Sequence, residues 1–282
     1  MAFVHFLTFG DGAPNFRGAA ARLSRQAAEA GIFQSITCGN LLILRNDYPD
    51  FWEKHGEYLL TRPLLGYYLW KPFLVASKLA ELPEGDFLIY ADAGCEIVAH
   101  KQAELIDLLP VEPDADVTVV PLESCHTMRR WAHRFCLSKL DPVGTHGDRV
   151  HFSAGILCFR NSAATRRLVE RWLEWSLYDD CACLEDREGD IEDDEAFEAH
   201  RYDQSILCMV AYDLEDRGEL ALKRIDVLAP GSPPLAILGI RNRSPFSTQG
   251  NTMRFRLSCK LFNLWVKLFW NEARYRTRVL ED

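Results

Sequence analysis

The 282-residue sequence lacks any run of about 18 consecutive apolar residues, the length that a membrane-spanning helix requires. It also enters an apolar segment at Ala2, without the cationic leader and small-residue cleavage site of a secretory signal. We therefore expect a cytoplasmic protein, either soluble or bound peripherally to the inner face of a membrane.

Cysteines spaced for a disulfide framework or a metal site are also lacking. The nine cysteines are an odd number, and several lie in apolar runs where a small buried side chain fits. Cys181 and Cys183 lack the Cys-x-x-Cys spacing of a zinc or redox motif. Four histidines whose spacings match no closed zinc site are interpreted as packing or solvated side chains: His126, His133, His146 and His151.

Basic residues are in the minority, with 32 Lys and Arg against 41 Asp and Glu, and the formal net charge is −9. The acidic excess is concentrated between Asp179 and Glu198, where 11 residues are acidic and only Arg187 is basic. Outside that segment 31 basic residues face 30 acidic ones. The composition predicts no nucleic-acid partner, but it is compatible with a local basic pocket for phosphate.

What the sequence does contain is an alternation of strand and helix signals. Residues 3–9 have the content of a strand, and residues 17–30 that of an Ala-rich helix, capped by Asn15 and ended by Gly31. Residues 32–37 then predict a second strand. This order begins a parallel α/β sheet, whose ligands bind beyond the carboxyl ends of the strands.

The loop from Thr8 to Asn15 follows the first strand and is therefore expected to face a ligand. Its first residues, Thr8, Phe9 and Gly10, are candidates for nucleotide binding.

A continuous apolar run from Phe87 to Ala91 predicts a central strand buried on both faces. It ends abruptly at Asp92, which places a carboxylate at the carboxyl edge of a sheet. Such a carboxylate can hold a divalent cation that offsets charge on a leaving phosphate, or it can merely cap the turn. Further predicted elements are strands at 117–120 and 155–159 and helices at 163–177 and 203–216.

Residues Tyr90 to Gly94 resemble the DXD strand end of GT-A glycosyltransferases, particularly the retaining families related to glycogenin and the yeast mannosyltransferases. The resemblance covers roughly residues 3–210. It implies one GT-A domain over residues 1–250, an α/β fold with a mixed, mostly parallel sheet flanked by helices. It also implies that Asp92, Ala93 and Gly94 bind a nucleotide-sugar donor, with Asp92 as a ligand of Mn or Mg.

Three further segments follow in the order that this family shows. The first, Gly66 to Ala80, resembles the helix beside the nucleotide-sugar, in the Gly-Tyr-x-x-Trp-Lys-Pro form of bacterial and viral polysaccharide glycosyltransferases. The resemblance implies donor contacts from Trp70 and Lys71. The alternative for Lys71 is an ordinary surface side chain.

The second segment, Phe152 to Phe159, resembles a strand whose small-residue pair borders the donor sugar and the acceptor. The third, His200 to Ser205, resembles an Asp-Gln pair that opens a helix near the transferred sugar. The contacts implied for sugar or acceptor are those of Ser153, Ala154, Gly155 and His200, and the implied catalytic residues are Asp203 and Gln204. Asp203 could instead serve only as a helix N-cap.

One departure from the family concerns the metal. Gly94 stands where a full DXD motif has a second acidic residue, which Glu96 or a water would have to replace. No histidine follows Asp226 to act as the family's late metal ligand. The guanidiniums of Arg241 and Arg243 can instead neutralise a diphosphate directly, although a divalent cation remains the expectation.

The resemblance favours retention of configuration, with a diphosphate oxygen taking the acceptor proton. An inverting enzyme would need a carboxylate base, for which Asp203 and Glu123 are candidates. We expect a UDP-sugar donor, with GDP as the rival, and transfer of a hexose to a glycan or lipid-linked acceptor in surface polysaccharide synthesis.

The C-terminal extension, residues 251–282, contains a basic amphipathic helix predicted at 254–278. Such a helix suits contact with an anionic membrane surface, or it closes the core or a dimer interface.

Two other functions remain open. A catalytically inactive sugar-binding protein is compatible with Gly94. A nucleotidyltransferase is less favoured, because the first loop has no basic residue before Arg17.

Overall fold

The computed structural model of the chain describes residues 2–111, 115–185, 192–225, 236–247 and 262. The chain divides into two compact units, the first formed by residues 1–65, 88–107 and 235–282 and the second by residues 66–87 and 108–234. In chain order the elements are β1 (Val4–Phe9), α1 (Pro14–Ala30), β2 (Phe33–Gly39), α2 (Leu41–Asp47), α3 (Pro49–Thr61), α4 (Pro63–Tyr67), α5 (Trp70–Glu81), β3 (Phe87–Ala91), β4 (Glu96–Ile97), α6 (Gln102–Asp107), β5 (Val117–Val119), α7 (Met128–Trp131), α8 (Arg134–Leu140), β6 (Ile156–Arg160), α9 (Ala163–Cys181), α10 (Asp203–Asp216), β7 (Leu222–Arg224) and β8 (Ile237–Leu238).

The first unit is organised around the parallel pair of β1 and β2, with α1 between them in the chain. The strand order is β2-β1-β3, and β4 and β8 form a separate antiparallel pair. Gly31 ends α1 at a φ of 70°, a left-handed conformation that glycine adopts without strain. The predicted start of strand, helix and strand is therefore confirmed.

β1 and α1 approach so closely that only glycine fits at their junction. A β-carbon on Gly10 would lie 2.4 Å from the carbonyl oxygen of Phe16 and 2.5 Å from Cβ of Ala20. A larger residue would force the strand and the helix apart. Thr8 and Phe9, just before this point, are buried. The predicted contact of these three loop residues with a donor stays a prediction.

The second unit combines the strand order β6-β5-β7 with packed helices. β5 is antiparallel to β6 and parallel to β7. α9 packs against both α5 and α10, and the indole N–H of Trp172 donates to the backbone C=O of Asp203 at 2.9 Å. This hydrogen bond fixes the start of α10, where the predicted Asp-Gln pair lies.

Residues 64–68, which include most of α4, have left-handed backbone angles and form a turn ahead of α5. Their φ angles are 55° at Leu64, 55° at Leu65, 67° at Gly66, 49° at Tyr67 and 68° at Tyr68. Each non-glycine residue in such a turn costs about 1–2 kcal/mol. The strain is concentrated immediately before Lys71.

The predicted fold class, α/β with a mixed, mostly parallel sheet and flanking helices, is confirmed. Strand 87–91 and helix 203–216 have the predicted bounds. The capping role predicted for Asn15 is wrong, because α1 begins at Pro14 and no side chain caps it.

The domain boundary at residue 250 stays a prediction. The basic helix predicted at 254–278 lies outside the described residues, apart from Phe262. None of the helices in the described part of the chain is long and apolar enough to cross a membrane.

Candidate active site

The strand end predicted to bind the donor lies in the first unit, where β3 is followed by a tight turn. The hydroxyl of Tyr90 donates to Oδ1 of Asp92 at 2.5 Å. The C=O of Asp92 accepts the N–H of Cys95 at 2.8 Å and closes the turn. Asp92 is half-buried, so the turn presents one carboxylate whose orientation is fixed by a phenol.

Position 94 has little room for the acidic residue of a full DXD motif. A β-carbon on Gly94 would lie 3.2 Å from Cα of Arg241, tighter than nine in ten such contacts, so that backbone would have to shift by a few tenths of an ångström. The C=O of Gly94 accepts the N–H of Asn242 at 2.8 Å. The glycine therefore has a packing reason: it allows the backbone at residues 241–242 to lie directly on the turn.

Arg22 of α1 ties these two backbone segments together. Its side chain is 2% exposed, and its guanidinium donates to Ala93 C=O at 2.9 Å and to Cys95 C=O at 2.7 Å. It also donates to the C=O groups of Asn242, at 3.0 Å, and Ser244. A planar fork with five N–H donors suits this bridging role. Arg22 is therefore a positioning residue for the Asp92 turn.

The sequence prediction missed Arg22, although helix periodicity contains a signal for it. Arg22 lies three residues after Ala19 and four before Gln26, and all three residues are buried. A charged residue within the buried stripe of a helix requires polar partners. The sequence alone does not show which groups provide them.

Glu96, the suggested replacement for the missing metal ligand, instead forms hydrogen bonds within the protein. Its side chain is fully buried. Its Oε1 accepts from Nδ2 of Asn242 at 2.5 Å, and its Oε2 accepts from the hydroxyl of Ser247 at 2.8 Å. We assign Glu96 to holding residues 242–247 in place.

The strand end fits a divalent cation that takes one protein carboxylate. Asp11, in the loop after β1, is buried and accepts the N–H groups of Gly12 at 2.9 Å and Leu41 at 2.8 Å. Asp92, which is half-buried, is the more accessible of these two carboxylates. Mg and related cations keep several waters and take phosphate oxygens, so one carboxylate suffices. Asp92 is the residue that would hold the cation.

The two arginines predicted to neutralise a diphosphate flank the buried Asn242, and both are exposed. Arg241 has a φ of 54°. The guanidinium of Arg243 lies 5.1 Å from the centre of the Phe16 ring in the first turn of α1. No side chain caps that turn, so the positive end of the helix dipole lies there. Pro14 has no N–H, and the N–H groups of Phe16 and Arg17 donate to the C=O of Ala13 at 3.1 and 3.2 Å. The first unit thus offers two exposed guanidiniums and the positive end of a helix dipole to an anion.

In the second unit the predicted surface alternative for Lys71 is wrong. The side chains of Lys71 and Asp203 are each 4% exposed, and Nζ lies 3.0 Å from Oδ2. Nζ also donates to the C=O of Ala154 at 3.5 Å and lies 5.2 Å from the centre of the Tyr68 ring. The neighbouring Trp70 is 5% exposed. A buried ion pair therefore joins the predicted motif that contains Lys71 to the one that contains Asp203, and Lys71 also contacts the motif that contains Ala154.

Gln204 joins the same motifs through its amide. Its Oε1 accepts the N–H of Ala154 at 3.3 Å, so its Nε2 must be the donor to Nδ1 of His151 at 3.2 Å. The proton of His151 is therefore on Nε2. Burial lowers the pKa of His151 to about 3, with smaller contributions from nearby cationic groups. His151 is a neutral partner that orients Gln204, a role the sequence prediction did not give it.

The other predicted sugar contacts are engaged within the fold. The hydroxyl of Ser153 accepts the N–H of Gly155 at 3.1 Å. His200 is 2% exposed. Its Nδ1 accepts the N–H of His133 at 3.1 Å, and its Nε2 donates to the C=O of Cys183 at 2.9 Å. Contact of Ser153, Gly155 and His200 with a sugar stays a prediction.

Glu123, the alternative base, belongs to a largely exposed group. Its carboxylate, the Cys125 thiol and the His126 ring have ligand atoms within 4.8 Å of one another. Exposed groups of this kind are common without a metal, and the base role of Glu123 stays a prediction.

No protein-family profile and no characterised protein sequence matches the chain. Solved structures with a similar fold include mouse xyloside xylosyltransferase 1 in its apo form, with a TM-score of 0.42 and 15% identity over 80% of this chain and 86% of that one. A glycosyltransferase that acts in glycosylation of the major capsid of PBCV-1 has a TM-score of 0.43 and 8% identity, over 79% and 82% of the two chains. The apo structure of the bifunctional glycosyltransferase WbbM has a TM-score of 0.43 and 14% identity. The similarity covers 79% of this chain and 39% of the WbbM chain. Likeness at this level carries no argument about function, which rests on the residues described above.

Replacing Arg22 tests its bridging role. We expect Arg22→Met to lower the free energy of unfolding by about 3 kcal/mol, because four buried carbonyls lose a charged donor. Arg25→Met is the matched control on the same helix, since Arg25 is exposed and makes one long bond to Pro245, and it should change stability by less than about 0.5 kcal/mol. Urea denaturation measures both. Equal losses in the two variants would contradict the assignment.

A double-mutant cycle tests the buried pair. Lys71→Met and Asp203→Asn should each cost about 3–5 kcal/mol of unfolding free energy, because each leaves one buried charge without its partner. The double variant should lose clearly less than the sum. The exposed pair Lys78 and Glu81, at 3.0 Å, is the control cycle and should show a coupling below about 1 kcal/mol. Strictly additive losses at the buried pair would show that the two charges do not interact.

The low pKa of His151 predicts a loss of stability in acid. Below a pH of about 6.5 the unfolded chain protonates this histidine, whereas the folded chain does not until about pH 3. The free energy of unfolding therefore falls by about 1.4 kcal/mol for each pH unit below about 6.5. Because the unfolded histidine is only half protonated at pH 6.5, His151→Gln should lose about 1 kcal/mol less than wild type between pH 6.5 and 5.5 in urea denaturation. His100→Gln, at an exposed histidine, is the control, and an unchanged acid slope in His151→Gln would refute the prediction.

Proposed function

We propose that the chain is a nucleotide-sugar-dependent glycosyltransferase that retains the configuration of the transferred sugar. Its donor is a UDP-hexose, and its acceptor is a glycan or lipid-linked saccharide of a surface polysaccharide. The observation that carries the proposal is the meeting of three separate sequence motifs in the second unit, at Lys71, Ala154 and the pair Asp203 and Gln204. Each motif is weak by itself, and their convergence supports the resemblance that joined them.

The chemistry of the second unit suits a polar, hydroxyl-rich ligand. Asp203 and Lys71 supply an acceptor and a donor of hydrogen bonds, held at 3.0 Å with little freedom to move. Gln204 is fixed at both ends of its amide by Ala154 and His151. Groups whose positions are fixed before binding contribute more to positioning a ligand than groups that must be ordered by it. We assign Asp203 and Lys71 to the transferred sugar and Gln204 to its anomeric end.

The first unit supplies the groups that a departing nucleotide diphosphate requires. A divalent cation on Asp92 would stabilise the negative charge that builds on the leaving group. Arg241, Arg243 and the uncapped first turn of α1 provide positive potential to the same kind of group. Arg22 would contribute indirectly, because its hydrogen bonds to the C=O groups of Ala93 and Cys95 fix the turn that carries Asp92.

A catalytically inactive sugar-nucleotide-binding protein is the second candidate. The packing of Gly94 on Arg241 favours it, because that packing hinders a second carboxylate beside Asp92. The two candidates differ in whether the donor is cleaved.

A donor panel tests the proposal. Purified protein is incubated with UDP-, GDP-, dTDP- and CMP-sugars, with Mn, with Mg and with chelator, and release of free nucleotide is measured. We expect release from a UDP-hexose, and a fall of about 100-fold, equivalent to about 2.7 kcal/mol, in Asp92→Asn. The anomeric form of the released sugar, followed by proton NMR, tests retention.

Glu84→Gln is the matched control, because Glu84 is an exposed carboxylate near the opposite end of β3, and its release rate should equal that of wild type. Thermal stabilisation by a sugar nucleotide without any release would favour the inactive binding protein. Neither release nor stabilisation with any donor would refute both candidates.

A further inference from the structure

Three tyrosine rings gather beside the buried ion pair of the second unit. The ring centres of Tyr67 and Tyr202 are 5.1 Å apart, and those of Tyr68 and Tyr202 are 6.2 Å apart. All three residues are half-buried, so each keeps some contact with solvent. We call Tyr67, Tyr68 and Tyr202 the tyrosine platform.

The backbone of the tyrosine platform is strained at every member. φ is 49° at Tyr67, 68° at Tyr68 and 51° at Tyr202. Residue Tyr202 also has a ψ of −123°, in a region that residues with a β-carbon rarely enter. Strain of this kind persists only where the surrounding structure imposes it, and it concentrates at sites that bind or react.

The tyrosine platform adjoins the groups assigned to the transferred sugar. Nζ of Lys71 lies 5.2 Å from the centre of the Tyr68 ring, and Asp203 directly follows Tyr202 in the chain. The strained conformations therefore place aromatic rings next to the buried ion pair. Simple core packing does not require this, because a core aromatic gains its burial with ordinary backbone angles.

We propose that the tyrosine platform binds a pyranose ring of the acceptor saccharide. A pyranose has faces of C–H groups and a rim of hydroxyls, and half-exposed phenols offer an apolar ring and a polar edge in the same side chain. Small-molecule sites combine aromatic walls with a few placed polar groups, which here are Lys71 and Asp203. The inference rests on the proposed function for the identity of the ligand as an acceptor, but the binding of a saccharide can be measured without the donor.

The experiment measures saccharide binding to the full chain in the absence of any nucleotide sugar. The probes are the methyl glycosides of glucose, galactose, mannose, xylose and N-acetylglucosamine, and binding is read by saturation-transfer NMR and titration. Wild type should bind at least one probe with a dissociation constant in the millimolar range. Tyr202→Phe keeps the ring and removes only the polar edge, so its dissociation constant should rise much less than that of a variant without the ring.

Tyr202→Gly removes the ring and at the same time relieves the backbone, because glycine adopts positive φ freely. Its dissociation constant should rise at least about tenfold. Tyr67→Gly, also at a positive φ, is the second variant and should show the same loss, and circular dichroism checks that both are folded. Tyr178→Ala is the control, since Tyr178 is an exposed tyrosine whose ring lies at a tilted angle beside that of Trp175, 5.0 Å between centres, at an ordinary φ.

Unchanged affinity in folded Tyr202→Gly and Tyr67→Gly, or the absence of binding of every probe to wild type, would overturn the proposal. Equal weakening in Tyr178→Ala would also overturn it, because the effect would then not be specific to the tyrosine platform. A wild-type protein that binds saccharides through the tyrosine platform but cleaves no donor would instead refute the proposed function alone.

Discussion

A buried cation must be surrounded by oxygen atoms or aromatic faces, and this constraint organises both units of the chain. Among the described residues, Arg22 and Lys71 are the Arg and Lys side chains that the fold buries most completely, at 2% and 4% exposure. Leaving either charge unpaired would be very unfavourable. Arg22 is compensated by four backbone carbonyls, and Lys71 by the carboxylate of Asp203, a carbonyl and a tyrosine ring. Each cation thereby fixes chain segments that are distant in sequence.

Much of the fold could be predicted from the sequence because it depends on short-range patterns. The apolar run at 87–91 and the periodic segment at 203–216 gave the bounds of β3 and α10, since strand and helix each leave a repeat of a few residues. Gly31 marked the end of α1 because glycine readily adopts the left-handed angles that often end a helix. The predicted start of α1 was wrong. Asn15 was interpreted as the cap that precedes the helix, but the helix begins at Pro14, because proline fits the first turn of a helix.

The site could be predicted only in part, since its chemistry depends on partners that are far apart in the chain. Periodicity did not distinguish a surface Lys71 from a buried one, because its partner Asp203 belongs to another helix. The sequence suggested that Gly94 had lost a metal ligand, and it did not indicate that the backbone at Arg241 packs closely against this position. The left-handed turn at 64–68 left no signal beyond one glycine, because its other residues are not ones that favour positive φ. The contacts join three of the four predicted segments, those at Lys71, Ala154 and Asp203–Gln204, and only the structure shows which of their atoms meet.

The buried pair also bears on how a retaining transfer would proceed. A covalent intermediate on Asp203 requires a carboxylate oxygen to reach the anomeric carbon, yet Oδ2 lies 3.0 Å from the ammonium of Lys71 and the side chain is 4% exposed. Esterifying Asp203 would remove its charge and leave Lys71 as a buried cation without a counter-charge, at a cost of about 3–5 kcal/mol. Gln204 carries an amide that is bonded at both ends and is a poor nucleophile. A retaining transfer in this arrangement would therefore be one in which an oxygen of the departing diphosphate takes the acceptor proton, while Asp203 and Lys71 stay paired.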